Sequence, residues 1–598
     1  MSPIAERIIR LRNEMARAGV DFWLVPSSDA HQSEYVPDCW QRRAWLTGFT
    51  GSMGSAVVGL DGAWLWADSR YWLQAEHELD PNVLSLMKMG QHGVPTLSKF
   101  LGELAGHRKV GYDPMLHSPK EAADLAEHIQ NAGGELIALD NLIDRIWADR
   151  PQVPDYPIEA WPPTFSGRTV AEKLALIRND MAEARTQHLV VATLDELAWV
   201  FDIRGRDVDF NPIAIAWGLI SETSATLFID PAKLTDEVRT HLAAASVDHI
   251  HYEAFGDRLL ELEGRVFIDK ENANQWILDR LALSKATPHL GRSPVQLLRA
   301  KKNPTEQQGM KSAHLRDGVA VVRFLAWLEQ NFRGLDEISA ADRLEAFRKE
   351  NDRFRGLSFD TIAGFGPNGA IVHYRASESS KRDIDDSTIF LLDSGAQYLD
   401  GTTDITRTVH LGTPTATQRE HYTRVLKGHL ALGRTRFPRG TTGTQLDAFA
   451  RAPLWEVGLN YGHGTGHGVG CFLSVHQGPH RIATVANDVG LEPGMIASNE
   501  PGFYLAGEYG IRIENLVLVY EVLSAEDTAF GPFYGFEDLT LVPYCRNLID
   551  SRLLTENERA QVDAYHARVR DAVLPRLATY PDAEAARAYL LRETAPLA

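Results

Sequence analysis

The stretch TIFLLDSGAQYLDGTTDITRTV, residues 388–409, decides how this chain is read. Its first part, Thr388–Asp393, is an apolar run of strand length that ends in a carboxylate, followed by Ser394-Gly395. Its last part alternates, with Asp404, Thr406 and Thr408 on one strand face and Ile405 and Val409 on the other. Asp400-Gly401 between them is a hairpin-turn signal. A hairpin brings Asp393 near Asp404. An ideal two-residue turn at Asp400-Gly401 would, however, set Asp393 opposite Thr408, so the register stays open without a bulge.

Two more carboxylates interrupt apolar strands downstream. Glu500 stands where Met495–Asn499 is broken by Pro501-Gly502, and Glu514 shares with Arg512 the face that continues into Leu516 and Leu518. A carboxylate on an apolar face needs a cation or donors to offset its desolvation. Taken alone, Glu514 reads as half of an ion pair. Four such carboxylates accompanied by a histidine read differently. That histidine lies in His463-Gly-Thr-Gly-His467-Gly-Val-Gly470. The His-x-x-x-His spacing of a zincin needs a helix and a Glu after the first His; alternate glycines make a helix improbable here. The run also lacks the Lys-Ser/Thr ending of a phosphate loop and the spacing of a dinucleotide fingerprint. It predicts instead a backbone that passes close to a site, with one or both imidazoles pointed into it.

Four carboxylates and one imidazole form an oxygen-dominated set that suits Mn(II), Mg(II) or Co(II) better than a structural zinc. Four negative charges match two divalent cations, which would let the cluster stay ionised. Two metals about 3.5–4 Å apart bridge a hydroxide and stabilise an oxyanion. Metal-assisted hydrolysis is therefore the reaction class the residues reach.

Outward from this core, the front half repeats itself. IIRLRNEMARAGVDFWLV from Ile8 aligns without gaps on LALIRNDMAEARTQHLVV from Leu174, each a helical spacing followed by a short apolar run. Two copies predict two similar α/β domains. Pro151, Pro154, Pro157, Pro162 and Pro163 crowd the stretch between them, which reads as an extended linker, and Thr169–Glu172 is a capping-box pattern. Asn303-Pro-Thr-Glu306 opens the next helix. The expected division is residues 1–150, 160–300, 303–545 and a helical extension 546–598. The 598 residues give a length prior of about three or four domains. A formal charge of −19 (61 Lys+Arg, 80 Asp+Glu) argues against nucleic acid as main partner. Three cysteines (Cys39, Cys471, Cys545) exclude a disulfide framework and favour a reducing compartment. The first 25 residues hold no signal-type apolar run, and no stretch approaches the ~18–20 apolar residues that span a bilayer.

Together, Asp393-Ser-Gly, Thr403-Asp404-Ile-Thr-Arg, the His463–Gly470 run, Ser498-Asn-Glu500-Pro-Gly and Ile513-Glu514-Asn resemble, in order and approximate spacing, the pita-bread metallopeptidases. The likeness is strongest to their long, three-domain, cytosolic-type Xaa-Pro aminopeptidases. It extends to Pro26–Tyr35 (PSSDAHQSEY), Gly366-Pro-Asn-Gly-Ala370 and Asp400-Gly-Thr-Thr-Asp404. It implies two related, creatinase-like α/β domains followed by a pita-bread catalytic domain. It further implies two metal ions, usually Mn(II), held by Asp393, Asp404, His467, Glu500 and Glu514, with Asp404 and Glu514 bridging, Asp393 on one ion, and His467 and Glu500 on the other. Glu500 would also serve as general base. His373 and His476 would bind the scissile carbonyl or the tetrahedral intermediate, His463 would line the pocket, and Arg70 in Asp68-Ser-Arg-Tyr would contact substrate. Arg512 would orient Glu514 or Asp393. Cys471, four residues after His467, reads as a pocket-wall residue. Gln477, where relatives often carry Glu, is the one departure and bears on substrate preference. The implied activity is release of the N-terminal residue from peptides with proline second, by a cytoplasmic homodimer. The alternatives are an Xaa-Pro dipeptidase and a non-catalytic peptide-binding module, the latter usually marked by lost metal ligands.

Overall fold

In the computed structural model, which describes residues 2–597, the duplication appears as two sheets of the same topology. The first six strands are β1 (Phe22–Val25), β2 (Ser55–Gly59), β3 (Ala63–Ala67), β4 (Ser85–Lys88), β5 (Lys109–Tyr112) and β6 (Glu135–Ala138). They form one sheet in the order β4-β3-β2-β1-β5-β6. β1 pairs antiparallel with β2 and parallel with β5. Six later strands, β7 (His188–Val191), β8 (Ala216–Ser221), β9 (Ala225–Ile229), β10 (Val247–Ile250), β11 (Glu263–Asp269) and β12 (Lys285–Gly291), repeat that order as β10-β9-β8-β7-β11-β12. The central strand again pairs antiparallel on one side and parallel on the other.

The helix leading into each sheet is specified alike. In α1 (Pro3–Ala18) the buried positions are Ile8, Leu11 and Met15, and Gly19 at φ 71° ends it. In α2 (Val170–Glu183), opened by the Thr169/Glu172 capping box, Leu174, Ile177 and Met181 occupy the same positions of the repeat and are buried. One compact unit takes in the chain up to Pro162 and Arg168–Gln296; the other takes in Pro163–Gly167 and the chain from Leu297 on. The proline-rich stretch is thus not all linker: Pro163–Ser166 is a helical turn within the second unit, where the Ser166 carbonyl accepts from Asn303 Nδ2 at 2.7 Å.

The first long helices of the second unit are α3 (Pro304–Asn331), capped by the Asn303/Glu306 box, and α4 (Glu337–Lys349). A three-stranded antiparallel sheet follows, with β14 (Ile389–Ser394) between β13 (Ile362–Phe365) and β17 (Ile405–His410); β15 (Ala396–Tyr398) and β16 (Gly401–Thr402) form the tip of the β14–β17 hairpin. Then come α5 (Ala416–Gly433), α6 (Gly443–Trp455), the two-residue β18 (Gly466–His467), and β19 (Ile496–Asn499). The hairpin β20 (Gly502–Leu505)/β21 (Tyr509–Arg512) leads into β22 (Asn515–Leu523) and β23 (Phe533–Asp538). Two helices, α7 (Glu556–Leu577) and α8 (Ala583–Glu593), close the chain. Val322 and Phe324 of α3, Leu392 of β14, Leu426 of α5 and Val569 of α7 share one buried core, so the helices brace the strands that carry the site. Truncating such a side chain (Leu392→Ala) costs about 2–5 kcal/mol. Among the described residues, no helix is long and apolar enough to cross a membrane.

Candidate metal centre

The register left open by the sequence is settled by a turn one residue earlier than its turn signal. Asp393 pairs with Thr406 and Ser394 with Ile405, and the same register runs on through Gln397↔Thr402 and Tyr398↔Gly401. The two-residue turn is therefore Leu399-Asp400. Asp400 is fixed there by ion pairs to Arg316 and Arg353. Gly401 is the first residue of the returning strand, where a Cβ would stand 2.9 Å from Ala313 Cβ of α3. Its missing side chain serves helix packing, not turn formation. The outcome is that Asp393 and Asp404 flank one end of an antiparallel pair, both buried.

Glu514 joins them from the β21–β22 junction. Its N–H donates to the Thr406 carbonyl at 3.2 Å, and Thr406 Oγ1 donates to Glu514 Oε2 at 2.7 Å. Two residues on, Thr408 Oγ1 donates to the Arg512 carbonyl at 2.8 Å. The Thr406/Thr408 face predicted from alternation is thus the seam to the strand segment that carries Glu514. Arg512 Nη2 donates to Asp393 Oδ2 at 2.6 Å, and Nε to Thr406 Oγ1 at 3.2 Å. Its carboxylate contact is with Asp393; Glu514 is reached through Thr406.

His467 faces these from the glycine-rich run, and Glu500 from the end of β19. The run is not helical: Gly466 and His467 pair with Ile482 and Arg481. A Cβ on Gly466 would lie 2.0 Å from the Ser498 carbonyl, so only glycine lets the two backbones meet. This contact brings the His467 N–H to Ser498 Oγ at 2.9 Å and the Glu500 N–H to the Thr465 carbonyl at 2.8 Å. With Nδ1 3.0 Å from the Gly468 carbonyl, His467 turns Nε2 toward Asp404 Oδ2 and Glu500 Oε1, both at 3.5 Å. Donor atoms of Asp404, His467 and Glu514 all lie within 4.8 Å of one another.

Burial dominates the electrostatics of this cluster. Burial pushes the Asp393 carboxyl up to about 6, against the pull of Arg512 and with the push of Asp404. Burial likewise raises Glu500, and it lifts Glu514 well above the carboxylate range together with the charges of Asp404 and Glu500. Burial alone would lower His467, but the bond to Asp404 and the charge of Glu500 outweigh it and carry the imidazole up to about 9. Asp393 Oδ1 is buried with no hydrogen-bond partner. Raised carboxyl pKa values and an unmatched carboxylate oxygen are what a divalent pair would correct, and the oxygen-rich donor set fits such ions.

Around the ligands, His463 Nε2 lies 2.8 Å from Tyr504 OH, and its Nδ1 is 4.0 Å from Glu500 Oε2. The His476 ring packs edge-on against His467, centroids 4.3 Å apart. His373 is in the half-buried turn Ile371–Tyr374, whose Ile371 and Tyr374 pack on Leu391 of β14. Arg70 belongs to the first unit, where it binds Asp68 bidentately at 3.0 and 2.7 Å. Cys471 is buried, its thiol donating to the Asp400 carbonyl at 3.5 Å. Gln477 is buried and accepts from Lys302 Nζ at 3.2 Å.

Sequence reasoning missed two groups. Tyr504 OH accepts from Arg512 Nη1 at 2.6 Å and so joins His463 to the Asp393 side. Its signal was period-2 alternation: Gly502 pairs with Arg512 and Tyr504 with Gly510, which puts Tyr504 on the Arg512 face. Asp447 and Arg451, at i and i+4 on α6, anchor the glycine run. Arg451 donates to the carbonyls of Tyr461 and His463, both at 2.7 Å, while Asp447 accepts from Thr465 Oγ1 at 2.5 Å.

The chain's relatives share this architecture. The model of metallopeptidase family M24 matches residues 308–521 and that of the C-terminal region of peptidase M24 matches 532–597. Creatinase/prolidase N-terminal domain models match 7–146 and 149–306. "Probable Xaa-Pro aminopeptidase P" of Fusarium vanettenii is 43% identical over 612 residues, covering 98% of both chains. Its counterpart in Laccaria bicolor is 42% identical, covering 99% of this chain and 93% of the relative. The crystal structure of X-prolyl aminopeptidase from Caenorhabditis elegans, a cytosolic enzyme with a di-nuclear active site, superposes with TM-score 0.95 at 34% identity over 100% of both chains. The Xaa-Pro dipeptidase of Bacillus anthracis covers only 63% of this chain, with TM-score 0.50 and 25% identity. With two creatinase-type domains ahead of an M24 domain and relatives of this identity along its whole length, the chain belongs to the Xaa-Pro aminopeptidase P family of metallopeptidases.

Proposed function

We propose that this protein removes the N-terminal residue from peptides whose second residue is proline. The observation that carries this reading is the convergence of Asp404, His467 and Glu514 donor atoms within 4.8 Å, with Asp393 and Glu500 beside them, in a chain whose relatives are Xaa-Pro aminopeptidases. Asp393, Asp404, His467, Glu500 and Glu514 would hold two divalent ions, Mn(II) by preference. Such a pair supplies hydroxide at neutral pH and Lewis-acid polarisation of a carbonyl.

The chain's own residues do the rest. Glu500, with Oε1 held by Ser498 Oγ at 3.1 Å, is placed to take up a proton at Oε2 and pass it to the departing proline nitrogen. Tyr504, bonded to both Arg512 and His463, keeps the Asp393 and Glu500 sides in fixed relation. His373 and His476 are assigned to steadying the developing oxyanion, His463 to lining the pocket beside Glu500, and Arg70 to substrate binding on the family resemblance. The protein is further proposed to act as a cytoplasmic homodimer, divided at about the boundaries its sequence suggests.

The test is to strip the metal with chelator, then assay a tripeptide with Pro second, with and without Mn(II). Activity restored by a divalent ion supports the reading; none restored by any divalent ion overturns it. Cleavage of Xaa-Pro dipeptides alone would make the protein a dipeptidase.

A further inference from the structure

Adjoining the two ligand aspartates is a second charged pair that the ligand set does not use. Asp317 of α3 and Arg348 of α4 are fully buried. Arg348 Nε donates to Asp317 Oδ1 at 2.7 Å and Nη2 to Oδ2 at 3.0 Å. The same carboxylate accepts from Tyr398 OH and from Thr403 Oγ1, each at 2.8 Å. Arg348 also reaches the carbonyls of Ser394 at 3.3 Å and Gly395 at 3.4 Å. Thr403 immediately precedes Asp404, and Ser394 immediately follows Asp393. One ion pair therefore grips both ligand strands at the residue next to the ligand.

Stability alone does not account for it. Taking two charges out of water is costly, and apolar side chains of the same volume are often no less stable. Apolar side chains cannot, however, hold a threonine hydroxyl and two carbonyls in fixed positions. The pair is also neutral as a whole, so Asp317 adds no uncompensated negative charge beside Asp404. We infer that Asp317 and Arg348 are positioning residues that set the placement of Asp393 and Asp404, and with it the affinity of the site for divalent ions. The inference rests on the metal-centre reading above. It gives α3 and α4 a part in the chemistry although neither helix supplies a ligand.

Calorimetric titration of chelator-stripped protein with Mn(II) tests this, comparing wild type with Asp317→Asn, Thr403→Val and Thr403→Ser. Asp317→Asn should weaken Mn(II) binding by about 10–100-fold, the range for groups that orient metal ligands. Thr403→Val, which leaves the ion pair intact and cuts its link to Asp404, should weaken binding by several-fold, and Thr403→Ser should keep wild-type affinity. The rise in melting temperature on adding Mn(II) should shrink in the same order. If Asp317→Asn does not fold, Thr403→Val carries the test. Folded variants that bind Mn(II) as wild type does, even with lowered melting temperatures, overturn the inference alone. A wild-type protein that binds no Mn(II) overturns the metal reading and the inference with it.

Discussion

Two regions of the molecule, one in each compact unit, bury charge in opposite ways. In the first, Lys173 pairs with Asp202 and Lys233 with Asp207 (the latter at 2.5 Å), each charge matched within its own site. In the second, Asp393, Asp404, Glu500 and Glu514 crowd together with Arg512 and His467 as their nearby cations. Matched burial serves architecture: a partner is built in and nothing need bind. Burial raises carboxyl pKa values in both regions, but in the second the charges of neighbouring acids add to the rise, Asp404 on Asp393, and Asp404 and Glu500 on Glu514. That imbalance marks the place where an ion completes the protein.

The sharpest way to break this contrast is to neutralise one acid in each region. Asp404→Asn should lower peptidase activity by about 10³-fold or more, since ligand loss forfeits several kcal/mol of transition-state stabilisation. The metal-free protein should at the same time melt higher, because a repelling buried charge is gone. Asp202→Asn should do the reverse. It strands Lys173 and should cost about 3–5 kcal/mol in denaturant unfolding, with kcat of the folded enzyme unchanged. If both variants shifted stability in the same direction, the distinction would fail.

His566 sharpens the comparison with a third treatment of buried charge, refusal. Burial, with Arg407, Arg546 and Arg570 nearby, pushes this histidine down to about 3. Its ring accepts from the Tyr544 N–H at 3.1 Å. Above the ordinary histidine value of 6.5, neither folded nor unfolded chain carries the proton, and the contribution to stability is fully present. As pH falls from 6.5 toward 3, the unfolded chain takes up the proton first, so stability is lost across that window. In His566→Gln the pH dependence of unfolding should flatten there; an unaltered slope would contradict the assignment. The smallest effect expected is that of Tyr504→Phe. It removes a hydroxyl shared by Arg512 and His463 and should lower kcat by roughly tenfold, the scale of one buried hydrogen bond.

The residues brought together at the candidate site were legible in the sequence because each stands out locally. Asp393 ends an apolar strand, Glu514 sits on an apolar face, and the glycines around His467 forbid a helix. The duplication was legible because Ile8, Leu11 and Met15 recur as Leu174, Ile177 and Met181 at the same helical phase. What escaped depends on distant contacts. The turn at Leu399-Asp400 follows from Arg316, Arg353 and the approach of α3 to Gly401, none of which lies in the hairpin's turn residues. Asp317, Arg348, Asp447 and Arg451 carry no local mark in the sequence. Only packing reveals that they are buried and where they point.

The central claim is that the unmatched acids form a site for two ions. Titrating chelator-stripped protein with Mn(II) while counting bound metal tests it most directly. The account predicts uptake of two equivalents per chain, with aminopeptidase activity on an Xaa-Pro tripeptide rising as they bind, and loss of uptake in Asp404→Asn. Uptake of no ions, or the same uptake by Asp404→Asn as by wild type, would contradict it.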